Sequence, residues 1–252
     1  MLIIQTILAI PRRLRTKGLY FYGVGFAIRI SIDKESEPRR RNLSIPEILL
    51  IVNAAIISVV STIYFIIFVD ELLSFRQTLL SREMSRAFWE LVEKISLPEL
   101  YVFAWVFAAT FGFLHEYLHI RFGKIIGIPT RNLYIATLLG FPLIFSVETD
   151  NRGTKNMQRA FVAAGGLIAN TIYLSVMFIL FLLFPTNIWI GVAFYVALII
   201  TIINGLIINI IDFDGLRISL EIAKSYGEKG FAGLILVWFI ILAMFVIRPL
   251  II

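Results

Sequence analysis

Hydrophobic positions in this chain fall in long unbroken runs, not in the one-faced or alternating patterns of a soluble core. Five runs, at about Ile48–Val69, Leu100–Ile120, Phe161–Phe184, Ile188–Ile211 and Phe231–Ile247, are apolar nearly all round. At 1.5 Å of rise per residue each is long enough, or nearly so, to cross about 30 Å of hydrocarbon. They predict five transmembrane helices.

Two shorter apolar stretches predict something else. Leu19–Ile32 is rich in aromatic and β-branched residues and carries two glycines, which favours a strand or hairpin. Leu133–Val147 is interrupted by Gly140 and Pro142 and reads as a re-entrant loop or hairpin, whose backbone needs surrounding protein to satisfy it. The connection Asp70–Glu99 combines helical apolar spacing with mixed charge and predicts an amphipathic helix on the membrane face. The expected fold class is an all-α polytopic membrane protein, with short strand or re-entrant elements near the cytoplasmic side. Residues 1–252 form a single membrane domain in this reading, with an N-terminal cytoplasmic or interfacial segment over 1–47 and a core over 100–223.

Composition agrees: 59% of residues are hydrophobic and 16% charged, far too little polar surface for a soluble domain of this length. The net charge of +6 raises nucleic acid as a partner, but basic residues in a membrane protein collect in cytoplasmic loops and meet anionic lipid. With the N-terminus inside, 18 of the 23 Lys and Arg fall on the inner side, a clear positive-inside bias. The second and fourth spans then both end at the cytoplasmic face. There are no cysteines, which excludes disulfides and thiolate metal sites.

The only two histidines are His115 and His119, with Glu116 directly after the first. Positions i and i+4 share one helix face. Two imidazoles so placed can bind one Zn²⁺ while Glu116 serves as general base. The motif lies in an apolar helix, where ionisable residues are costly and functional by default. A catalytic zinc usually takes three protein ligands, so the third must here be Asp or Glu. Asp212 and Asp214, at the cytoplasmic end of the fourth span, lie at the right depth; Glu221 is a further choice.

These residues resemble the site-2 protease family of intramembrane metalloproteases. Three segments carry the resemblance: LHEYLHIRFG (Leu114–Gly123), AAGGLIAN (Ala163–Asn170) and the Asp214–Gly215 pair, in that order on successive helices. Leu167 stands where the family has proline, and the third segment is shorter than the family's and lacks its proline. The resemblance implies one zinc held by His115, His119 and Asp214, Glu116 as catalytic base, and Asn170 or Asn209 binding substrate or oxyanion. It further implies a transmembrane protein as substrate and a minimal form without a PDZ-like insertion. Two other readings fit the residues: a gluzincin-type membrane protease with Glu221 as third ligand, and a non-catalytic scaffold or transporter with a metal-binding cluster.

Overall fold

The computed structural model describes residues 19–22, 25–31, 41–73, 93, 95–138, 141–149, 153–207, 214–237 and 239. Four helical segments in it are long and apolar enough to cross a membrane. The first, α1, runs over Ile45–Leu73. The second is composite: α2 (Leu97–Phe107), a π-helical turn (Ala108–Gly112) and α3 (Phe113–Ile125) follow one another without a break. Then come α4 (Asn156–Leu183) and α5 (Ile188–Gly205). A short helix, α6 (Asp214–Ser225), follows. The protein is therefore a mainly helical, polytopic membrane protein. Between 11% and 28% of each span's apolar window is buried inside the chain, which leaves most of each helix surface for lipid.

Helix starts follow local chemistry. α2 opens on a capping box in which Ser96 and Glu99 satisfy each other's backbone N–H. Asn187 caps α5 by accepting from the N–H groups of Trp189 and Ile190. α3 closes on Gly127, whose φ of 76° is open to glycine at no steric cost.

Both short apolar stretches become hairpins. β1 (Leu19–Tyr22), β2 (Gly25–Ser31), β3 (Thr130–Leu138) and β4 (Phe141–Thr149) form one antiparallel sheet in that order. Leu19 pairs with Ile28, Ile28 with Ile135, and Leu133 with Val147. Pro142, which has no N–H to give, sits on the outer strand β4. β4 packs against α2 and α3.

Several boundaries move. The first three spans each begin a few residues earlier than expected, and α5 ends at Gly205, six residues before Ile211. Residues 227–237 are helical; the rest of the fifth expected span lies outside the described residues, as does most of Asp70–Glu99.

The main buried cluster joins Ile51 and Ala54 of α1, Phe122 of α3, Phe161, Ala164 and Leu167 of α4, and Ile218 of α6. A second gathers Phe107, Phe111, Ala193 and Ala197. The first cluster packs α3 and α6 on α4, and the polar cluster described next lies where those three helices meet.

Candidate metal centre

α3 presents His115, Glu116 and His119 towards α4, and α4 accepts them because its facing residues are small. A side-chain carbon on Gly165 would stand 2.9 Å from the Leu118 carbonyl oxygen, too close for any residue but glycine. One residue on, a carbon on Gly166 would collide with Asp214 Oδ2 and fall 2.5 Å from both His115 Cε1 and His119 Nε2. The Gly165–Gly166 pair thus admits first the α3 backbone and then the polar cluster.

Both imidazoles are oriented from behind. His115 Nδ1 lies 2.8 Å from Asn170 Oδ1, and His119 Nδ1 lies 2.7 Å from the Val162 carbonyl oxygen. Both partners are acceptors, so each Nδ1 carries the proton and each Nε2 keeps its lone pair. Those lone pairs meet the carboxylate of Asp214, the first residue of α6. His115 Nε2 and His119 Nε2 are 3.2 Å apart, and Asp214 Oδ2 is 3.2 Å and 3.3 Å from them.

In this tautomeric state three electron-pair donors face one another without a proton between them. Asp214 Oδ2 is buried and has no hydrogen-bond partner among the described residues. A cation resolves that arrangement. Donor atoms 3.2–3.3 Å apart match the edge of a tetrahedron whose centre is about 2.0 Å from each corner, the length of a bond from imidazole or carboxylate to a divalent metal such as zinc. His115, His119 and Asp214 therefore form a group able to hold a metal ion.

Glu116 is buried with its Oε1 3.8 Å from His115 Nε2, beside the triangle and not in it. Its carboxylate takes a hydrogen bond from the Val147 backbone in β4. Asn170 is 1% exposed, and its Nδ2 has no partner among the described residues.

Of the acids considered for the third ligand, Asp214 is in the cluster. Glu221 lies elsewhere, with its oxygens 2.8 Å from Arg159 and 3.2 Å from Lys224. Asp212 and Asn209 lie outside the described residues. Gly166, the Val162 carbonyl and the Val147 backbone join the site without having been singled out by role. Only Gly166 had a sequence signal, the small-residue run AAGG, because backbone contacts leave no mark on residue identity.

No protein-family model, curated protein or solved structure matches the chain. What the centre can do follows from its donor set, its burial and its place in a membrane helix.

Proposed function

We propose that the protein is an intramembrane zinc metalloprotease of the site-2 protease type, hydrolysing peptide bonds of transmembrane substrates near the cytoplasmic face. The observation that carries this reading is the triangle of His115 Nε2, His119 Nε2 and Asp214 Oδ2 with Glu116 beside it, on a membrane-spanning segment. Two imidazoles and one carboxylate form a catalytic zinc donor set that leaves a position open.

His115, His119 and Asp214 would hold the ion, which supplies Lewis acidity that polarises a peptide carbonyl and acidifies water. Glu116 takes the proton from the attacking water at its carboxylate and returns it to the leaving amine nitrogen. The Val147 N–H steadies that carboxylate. Asn170 Nδ2, buried and without a partner among the described residues, is a donor available to the carbonyl oxygen of the substrate as charge develops there. A substrate helix hides its peptide bonds and must be extended before attack. The outer strand β4, whose backbone already reaches Glu116, offers an edge for such an extended segment.

The orientation rests on charge. The α3 C-terminal end, where Arg41 Nε bonds the Ile125 carbonyl oxygen, and the α4 N-terminal end, with Lys155, are rich in basic residues. The positive-inside rule puts that end, and the N-terminus, in the cytoplasm.

The test is cleavage of a transmembrane peptide by purified protein. Wild type cuts; Glu116→Gln keeps its metal and loses at least about 100-fold in rate. Undiminished cleavage by Glu116→Gln would remove that residue from its role.

A further inference from the structure

Asp214 sits at the start of a helix that follows an abrupt stop. α5 ends at Gly205, and Leu206 and Ile207 then run buried, 5% and 2% exposed. A chain that leaves its helix inside an apolar bundle must find partners for the backbone groups it frees. The Ile207 N–H finds one 145 residues away: it donates to Thr62 Oγ1 of α1 at 3.1 Å. Thr62 is fully buried, and its own hydroxyl proton goes to the Ser58 carbonyl oxygen at 2.9 Å. The geometry is thus complete on both sides of the hydroxyl, with a donor and an acceptor each used once.

The contact continues one step either way. A side-chain carbon on Gly205 would collide with Ser61 of α1, and one on Gly215 would collide with the Gly205 carbonyl. The outgoing end of the connection therefore lies against α1, and its returning end lies against the outgoing end. Asp214, one residue before Gly215, takes its place from that stack.

We propose that Thr62, in the first span, is a positioning residue for Asp214: it docks the chain at Ile207, two residues past the Gly205 backbone against which Gly215, the neighbour of Asp214, rests. The inference builds on the reading of His115, His119 and Asp214 as a metal site. It extends that site to α1, which contributes no ligand.

The test titrates Co²⁺ alone into the metal-stripped full chain in detergent. The cobalt visible spectrum reports the ligand set, and circular dichroism confirms that each variant is folded. Wild type should bind with a four-coordinate spectrum. Thr62→Val, which keeps the shape and loses the hydroxyl, should bind about tenfold more weakly or worse, with its spectrum moved towards that of Asp214→Ala. Thr62→Ser should restore both. Ser58→Ala, equally buried but bonded only within its own helix, should leave both unchanged. Thr62→Ala, which leaves a space instead of a methyl group, runs in parallel in case the valine variant does not fold.

Wild-type affinity and spectrum in folded Thr62→Val or Thr62→Ala would overturn the proposal and leave the metal site standing. An equal loss in Ser58→Ala would also overturn it, by making the effect one of general packing. Failure of wild type to bind Co²⁺ would overturn the metal site itself, and this proposal with it.

Discussion

Gly166 decides whether the donor atoms can meet. Its missing side chain is the space that Asp214 Oδ2, His115 Cε1 and His119 Nε2 share. Gly166→Ala should therefore empty the site while leaving the helix intact, since alanine is the better helix former. Metal analysis of the purified variant checks this, and a metal-replete Gly166→Ala would contradict it. Much at this scale was legible in the sequence. His115, Glu116 and His119 sit within five residues on one helix, and helical geometry alone brings their side chains together. The third member of the cluster was less legible, because Asp212 and Asp214 stand two residues apart in the sequence and only the packing of α6 on α4 puts Asp214 at the triangle. The Val162 carbonyl was not legible at all, since every residue type carries one.

At the scale of elements, the π-helical turn sets the direction in which α3 faces. Phe103, Phe107, Phe111, His115 and His119 recur every fourth residue. Their rings follow one another at 5.9 Å from Phe103 to Phe107, 5.1 Å from Phe107 to Phe111, and 4.8 Å from His115 to His119. Four residues advance an α-helix about 40° beyond a full turn, so the ladder would drift about 160° between Phe103 and His119. The wider turn over Ala108–Gly112 takes part of that drift back. Deleting Ala109, which is exposed, should restore plain helix and leave the face of α3 nearly unchanged, because the roughly 100° lost with one residue is offset as the wide turn tightens. Metal binding should therefore persist in the deletion; lost binding would mean that the turn does not stand in for one extra residue.

The other end of α6 is tied to α4 through Arg159 and Glu221. Burial pushes the Glu221 carboxyl up, but Arg159 and Lys224 outweigh it and lower its pKa below the ordinary 4.5. A carboxyl lowered on folding stabilises the fold above its unfolded pKa, and that stability is lost as pH falls through the folded value. Wild type should thus unfold at a higher temperature than Glu221→Gln at pH 7, and the gap should close below about pH 4.5. A gap independent of pH would exclude this role for the pair.

At the scale of the whole molecule, the apolar runs announced the class and the helices carried it out. The span ends were less legible, because hydropathy does not register where α5 must stop so that the chain can return to Asp214. The sheet was foreseen only as separate hairpins: its joining strand pair, β2 with β3, spans about a hundred residues of sequence. Orientation belongs here as well. A tag at the N-terminus should be protected from protease in sealed right-side-out vesicles and become accessible only when they are opened; accessibility in sealed vesicles would reverse the assignment.

The central claim is that His115, His119 and Asp214 hold one zinc ion. The most direct measurement is the zinc content of purified wild type, Asp214→Ala and Glu221→Ala. Wild type and Glu221→Ala should carry about one zinc per chain, and Asp214→Ala close to none. A zinc-free wild type, or zinc kept by Asp214→Ala and lost from Glu221→Ala, would contradict it.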